Sequence, residues 1–555
     1  MILNGSEILI ECLLEQNVDT IFGYPGGAVL NIYDALYKYK DKIKHYLTSH
    51  EQHATHAADG YARVTNKVGV CLATSGPGAT NTVTGIATAF MDSIPLVCIT
   101  GNVGTSLLGK DSFQEVDIAG IVMPVVKHSF IVKDVKDLAN TIRRAFKIAN
   151  SGRRGPVLID IPKDVSIATC EYIKEVPENC TNDTFNHFTS EELDKAIALI
   201  ENSKKPFVFA GGGVIASKSY RELKEFVEKI DSPVAISLMG KGAIPSTYKN
   251  FTGLLGMHGT KASNLGVTNC DLLIVLGARF SDRVTSDVSK FAPKAKIIHI
   301  DIDPAEIDKN VTVDLSLIGD LKNILQKLNS SVAKKENNQW IDYIQSLIKD
   351  YPLQNDSENG LKPWHILEAI NKVTNNDCII STEVGQHQIF AAQYINSLYP
   401  HQFVTSGGLG TMGYGLGASI GAQVGKPDKV VFNIAGDGSF RMNNIELATA
   451  VEYNLPIIVC IFNNHVLGMV RQWQSLFYDK RYSSTDLSTK TTDFVALAKA
   501  YQCDAYNVNK IEEVEDTLKT AIANKKPCVI NFELYNDDVV YPMVKLGSGI
   551  DDFIE

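Results

Sequence analysis

Short runs of Val, Ile, Leu, Phe and Cys recur along this chain, each ended by a turn and followed by a segment of helix length. They read "VGVCLAT", "PLVCITG", "PVLIDIP", "PFVFAGG", "LLIVLGA", "IIHIDID", "VVFNIAG", "PIIVCIFNN" and "PCVINFEL". A strand that is apolar throughout is buried on both faces, and such strands joined by helices build parallel sheets. The fold class this predicts is α/β, with doubly wound, mostly parallel sheets. Two polar stretches interrupt the rhythm, at about 170–190 and 329–360, and read as linkers, the second with a helical patch. They leave three units, 1–170, 190–328 and 361–555. That division suits a chain of 555 residues, at roughly 100–200 residues per domain, each unit burying its own core.

The first and third units look like versions of each other. One strand runs into "TSGPGATN", then a helix, then "IPLVCITG"; the other runs into "IAGDGSFR", then a helix, then "LPIIVCIFNN". Both glycine turns fall where a strand ends and a helix begins, the ligand edge of an open parallel sheet. The chemistry differs, because the third unit carries Asp437 where the first carries Pro77.

Gly436 and Gly438 allow a tight turn beside a ligand. Asp437 offers a hard oxygen at a strand end, and Asn464, 27 positions on (464 − 437), offers an amide oxygen at the end of the next strand. Adjacent strand ends lie about 5 Å apart, so both oxygens can reach one ion. The carbonyl of Val466 supplies a third oxygen, a set that suits Mg²⁺ shared with a phosphate. Taken alone, a GDG is an ordinary tight turn and an NN an ordinary loop.

Together, at this spacing, they are similar to the motif of thiamine-diphosphate enzymes. In that family the Asp, the second Asn and a nearby carbonyl hold Mg²⁺, which implies Asp437, Asn464 and Val466 as metal ligands. The resemblance also implies diphosphate contacts from Gln386 and His387 in "VGQHQIF", and places Gly410 and Met412 of "GGLGTMGYG" beneath the aminopyrimidine ring. Thiamine chemistry needs an acid beside that ring, and a partly buried carboxyl suits the task because desolvation raises its pKa. Glu51 begins a helix in "TSHEQHATHAADGYAR". A Glu there is commonly a simple cap, but the family carries its essential Glu in an HEQ segment followed by GYAR. Glu51 is in the first unit and the metal motif in the third. In the family these two units meet across subunits, so the resemblance implies a homodimer or homotetramer.

Four further segments, "FGYPGGAVLNIYDAL", "FQEVDIAGIVMPVVKHSF", "GMHGTKASNLGVTNCDLLIVLGARFSDRVT" and "NNHVLGMVRQWQSLFY", extend the resemblance over essentially the whole chain to the large subunits of acetohydroxyacid (acetolactate) synthases, of the biosynthetic type. That implies decarboxylation of pyruvate and joining of its two-carbon unit to a second 2-oxo acid. The products are 2-acetolactate from pyruvate and 2-aceto-2-hydroxybutyrate from 2-oxobutanoate, for valine, leucine and isoleucine synthesis. By the same resemblance Arg283 holds the acceptor carboxylate, a task for a planar bidentate donor. Trp473 shapes the acceptor pocket, and Met469 and Val470 line the cavity. Phe113, Gln114 and Lys163 reach in from the neighbouring subunit. The usual "RFDDR" reads "RFSDR" here, with Ser281 in place of the first Asp.

In the middle unit Gly211, Gly213 and Ala216 fit G-x-G-x-x-A, with Asp231 following at the distance of a ribose-binding acid, a weak signal by itself. The resemblance implies a bound FAD without net redox work, contacted by Arg153, by residues around His258–Arg279, and by residues around Asp301–Asp320. A small regulatory subunit is a further partner of such enzymes, and the regulatory domain is expected to be separate from this chain. Rival readings are a pyruvate oxidase or 2-oxo acid decarboxylase on the same scaffold, or a non-catalytic cofactor-binding regulator.

The net charge of −10 without a long basic run argues against nucleic acid or an anionic membrane as partner. No apolar run approaches the roughly 20 residues of a bilayer span, and the N-terminus lacks the basic start and cleavage site of a signal peptide. The ten cysteines form no CxxC pair and read as buried reduced thiols, so the expected compartment is the cytoplasm.

Overall fold

The computed structural model describes residues 1–176, 186–353, 360–489 and 492–554. It contains three six-stranded sheets, each paired in parallel throughout. Across the first sheet the strands run Lys44–Leu47, Thr20–Gly23, Gly69–Ala73, Leu96–Asn102, Pro156–Pro162, His128–Ile131. Across the third they run Phe403–Val404, Ile379–Thr382, Val431–Gly436, Ile457–Asn463, Cys528–Glu533, Asp504–Val508. Numbered within its own unit, each sheet has the order 2-1-3-4-6-5, so the internal similarity of the sequence extends to topology. The middle sheet runs Phe251–Leu254, Val234–Ile236, Pro206–Ala210, Leu272–Leu276, Lys296–Asp301, Leu315–Ile318, the order 3-2-1-4-5-6 of a dinucleotide fold. Central strands such as Leu96–Asn102, Leu272–Leu276 and Ile457–Asn463 are buried at every residue, which is why they lack alternation.

Two findings differ from the sequence reading. The first and third units share one core as well as keeping their own: Phe22, Ala54 and Ile86 cluster with Leu416, Ile420 and Phe440. The contact is made by helix Glu51–Thr65 crossing helix Gly415–Gly425. Glycine permits it, since a Cβ on Gly60 would stand 2.1 Å from the Ala418 carbonyl oxygen, and one on Gly421 1.8 Å from that of Ala57. The stretch 329–360 is also more than a linker. Helix Asn338–Asp350 packs Trp340, Ile344 and Leu347 beside Phe207 and Val267 of the middle unit, and Trp340 Nε1 donates to the Pro206 carbonyl at 2.9 Å. Its polar residues concealed a narrow apolar stripe at helical spacing. Parts of both expected linkers, and Cys180, lie outside the described residues. The nine described cysteines are free, eight of them buried.

After the third sheet the chain returns to the middle unit. Val544 N donates to the Met257 carbonyl at 2.8 Å, and Asn264 Nδ2 donates to the Ile550 carbonyl at 2.7 Å. Among the described residues no helix is long and apolar enough to cross a membrane.

Candidate active site

The strand Val431–Gly436 pairs with Ile457–Asn463, so Asp437 and Asn464 leave neighbouring strand ends on one edge of the third sheet. Asp437 is buried, and neither of its carboxylate oxygens has a hydrogen-bond partner. Burial pushes its pKa up to about 6. Two buried, unpartnered carboxylate oxygens are costly unless something cationic meets them. Asn464 Oδ1 is engaged only at 3.4 Å, by Val466 N, and Val466 lines the same cavity. Among the described residues no group of three or more His, Cys, Asp or Glu could hold a metal. An ion here would therefore rest on one carboxylate and neutral oxygens, which the turn provides and Mg²⁺ accepts.

Gln386 and His387 open helix Gln386–Tyr394 and line this cavity with Met412, Gly436, Asp437, Gly438, Asn464, Met469 and Val470. Its floor requires glycine. A Cβ on Gly436 would stand 2.8 Å from His387 Nδ1, and one on Gly468 2.0 Å from Gln386 Oε1. The His387 ring is held neutral by burial, its pKa pushed down to about 3, and its Nε2 has no partner. Gln386 Nε2 donates at 2.9 Å to both Gln472 Oε1 and the Asp538 carbonyl, which ties the returning C-terminal segment to the cavity.

One residue of this edge escaped the sequence reading. Glu383 is fully buried, and its carboxylate accepts from Gly413 N at 2.8 Å, Leu416 N at 3.0 Å, Ser439 Oγ at 2.8 Å and Asn443 Nδ2 at 2.5 Å. It fastens the loop bearing Gly410 and Met412 to the turn bearing Asp437. Its one sequence signal was an acid closing an apolar strand at the ligand edge. The first unit holds the same loop from the other side, because Asp92 accepts from Gly407 N at 3.0 Å and Gly408 N at 2.7 Å. Arg63 bridges Asp92 and Asp59.

Glu51 begins its helix with a half-buried side chain, and Asn81 Nδ2 donates to its Oε2 at 3.0 Å. Beside it, Gly76 adopts φ 60°, and a Cβ there would stand 2.9 Å from the Gln114 carbonyl oxygen. Phe113 is 88 % exposed, and Lys163 is exposed at the end of its strand. Glu51, Phe113, Gln114 and Lys163 thus share the ligand edge of the first sheet, but none lines the cavity of the third. Within one chain the structure does not bring the two groups together.

A second, larger cleft shares Val384, Gly385, Met469 and Val470 with the first cavity. Arg153, His258, Arg279, Arg283, Asp301, Asp320, Gly410 and Trp473 all line it. Arg283 lies 5.8 Å from the Trp473 ring centre, which joins the middle and third units, and it pairs with Asp282 at 3.4 Å. Ser281 also lines the cleft and makes no side-chain cap to the helix it precedes.

The cleft opens where the middle sheet reverses its strand order, between Pro206–Ala210 and Leu272–Leu276, the usual ligand crevice of such folds. Gly211 and Gly213 pack there against Gly277, where a Cβ would come within 2.3 and 2.6 Å of its backbone. Burial pushes the Asp301 carboxyl up to about 6 and the His258 ring down to about 4. Arg153 is ion-paired with Asp303 at 3.1 Å and Glu306 at 2.7 Å, and Asp320 caps helix Leu321–Ser331. The expected ribose acid is a correction. Asp231 precedes the strand Val234–Ile236 and so sits at the end opposite the cleft, where it accepts from Asn337 N at 2.7 Å. Spacing counted from the glycines cannot tell which end of a strand an acid occupies.

Comparison with known proteins agrees with this geometry. Three thiamine pyrophosphate enzyme models match: the N-terminal TPP binding domain over residues 3–121, the central domain over 193–328, and the C-terminal TPP binding domain over 383–532. The chain is 44 % identical to a probable acetolactate synthase large subunit of Methanocaldococcus jannaschii, covering 100 % of this chain and 95 % of that one. It is 45 % identical to the acetolactate synthase large subunit of Corynebacterium glutamicum, covering 99 % and 90 %. It is 42 % identical to the acetolactate synthase isozyme 3 large subunit of Escherichia coli, covering 99 % and 98 %. With family models matching all three units and relatives that match end to end, the chain belongs to the thiamine-diphosphate-dependent acetolactate synthase large subunits.

Proposed function

We infer that this enzyme decarboxylates pyruvate and joins the two-carbon unit to a second pyruvate or to 2-oxobutanoate, in the biosynthesis of branched-chain amino acids. One observation carries the reading: Arg283 and Trp473 stand together over a cleft whose wall, Met469 and Val470, is also the wall of the cavity around Asp437. A cation that binds a carboxylate thereby faces the place where a two-carbon unit would form.

Thiamine diphosphate, when bound, supplies the electron sink for decarboxylation. The chain's residues do the rest. Asp437, Asn464 and the Val466 carbonyl would hold Mg²⁺, and Gln386 and His387 the diphosphate. Met412 and Gly410 would support the aminopyrimidine. Glu51 would hold a proton at the ring nitrogen from the neighbouring subunit, joined there by Phe113, Gln114 and Lys163. Arg283 would fix the acceptor carboxylate through two parallel hydrogen bonds, and Trp473 would set how large an acceptor fits. Met469 and Val470 would turn apolar surface towards the reacting carbon, where water is a competing proton source.

FAD suits the larger cleft, which lies at a strand-order reversal and is floored by glycines. Arg279, His258, Asp301 and Asp320 would contact it, with Arg153 sharing its ion pairs. The assembly is a homodimer or homotetramer of units 1–170, 190–328 and 361–555, joined by a small regulatory subunit and working in the cytoplasm.

Product analysis tests this. With pyruvate, Mg²⁺ and thiamine diphosphate, the purified protein is expected to yield 2-acetolactate, and the preparation to be yellow. Acetaldehyde or acetyl phosphate as the main product would contradict the reading.

A further inference from the structure

The turn Asn444–Glu446 lies inside the metal motif, between Asp437 and Asn464, yet Glu446 lines neither cavity. It is fully buried and points at the first unit of its own chain. Its two oxygens accept from Ser49 N at 3.0 and 3.2 Å, His53 Nδ1 lies 2.9 Å from Oε1, and Thr449 Oγ1 donates to Oε2 at 2.6 Å. The same segment supplies two further holds. Ser49 Oγ donates to the Ile445 carbonyl at 3.2 Å, and Leu47 N donates to Tyr453 Oη at 2.9 Å. Glu51 stands between Ser49 and His53, so the strand-to-helix turn that aims it is gripped on both sides.

A buried carboxylate is poor glue, because its desolvation offsets much of what its partners return. The contact between the two units is already supplied by the glycine crossing of helices Glu51–Thr65 and Gly415–Gly425. What the directed hydrogen bonds to Leu47, Ser49 and His53 add is geometry, and an acid that must meet one ring nitrogen needs its backbone fixed to a fraction of an ångström. We propose that Glu446 is a positioning residue, fixing the turn Leu47–His53 so that Glu51 meets the cofactor. This rests on the reading of Glu51 as the proton-holding acid. It gives the stretch between the metal ligands a second task, support of the acid carried by the first unit.

The test follows exchange of the bound cofactor's C2 proton into deuterated water without pyruvate, alongside pyruvate kinetics and amide exchange of residues 47–56. In Glu446→Gln the C2 exchange rate should fall by about tenfold or more, and in Tyr453→Phe by about threefold, a fraction of the effect of a general acid–base group. The pyruvate KM should stay within about twofold of the parent, and the 47–56 amides should exchange faster while Ile457–Asn463 stays protected. Added to Glu51→Gln, Glu446→Gln should cost nothing further, because it acts through Glu51. C2 exchange within about twofold of the parent in both single variants, or a loss that adds fully to that of Glu51→Gln, overturns the proposal. If Glu446→Gln does not fold, Tyr453→Phe decides by the same criterion. If Glu51→Gln itself leaves C2 exchange unchanged, the reading of Glu51 falls and the proposal with it, and the amide data then report only whether Glu446 holds the turn.

Discussion

Asp437 and Arg283 solve opposite problems with single side chains. Asp437 keeps two carboxylate oxygens buried and unpartnered, its pKa raised to about 6 by that burial; in the proposed site a cation would meet them. Arg283 stays exposed, 62 % at its side chain, and meets the exposed Asp282 and the Trp473 face. In the proposed function it would exchange a surface contact for a substrate carboxylate. Lysine would keep the charge and lose the fork. Losing one charge-assisted hydrogen bond costs about 1.5–3 kcal/mol, so Arg283→Lys should lower kcat/KM for the acceptor by roughly 10- to 100-fold. Decarboxylation should persist, with acetaldehyde rising at the expense of acetolactate. An unchanged product ratio would remove Arg283 from the acceptor site.

At the scale of elements, helix Gln386–Tyr394 is held at both ends. Its N-terminus carries Gln386 and His387, and its C-terminal carbonyls receive a lysine from another unit. Lys241 Nζ donates to the Ala392 and Ile395 carbonyls at 2.8 and 2.7 Å. Lys241 is buried, and desolvation lowers its pKa from 10.5 to about 7. A lysine depressed in the folded protein leaves stability whole above its unfolded pKa and erodes it as pH falls toward the folded one. Lys241→Met removes that titration. Its stability relative to the parent should therefore rise by about 1.4 kcal/mol for each pH unit from pH 10 down to pH 7, and level off below. Urea midpoints at pH 7, 8 and 9 measure this, and a difference independent of pH would contradict it.

Elements were also where the sequence was least informative. Asp437 and Asn464, picked out by their spacing, and Gln386 and His387, implied by the resemblance, line one cavity, because a parallel sheet gathers residues far apart in sequence at one edge. Glu383, Glu446 and Lys241 were not legible, because each acts on backbone far along the chain; Glu446 reaches Ser49 across 397 positions. The three sheets were legible from their unbroken apolar strands. The core shared by the first and third units was not, since it depends on glycines that read as ordinary helix residues until two helices cross.

At the scale of the molecule, one chain holds Glu51 on the edge of its first sheet, outside the cavity that surrounds Asp437 on the third. The proposed chemistry requires that they meet, and a second copy of the chain would bring Glu51 to the cavity around Asp437. A two-fold assembly would then carry two equivalent centres, each with Glu51 from one subunit and Asp437 from the other. Mixing inactive Glu51→Ala with inactive Asp437→Ala, dissociating and reassociating them, and assaying 2-acetolactate tests this directly. Random reassociation makes half the dimers mixed, each with one intact centre, so about a quarter of the parental activity should return. Mixed dimers that form and yet produce no acetolactate would contradict the account.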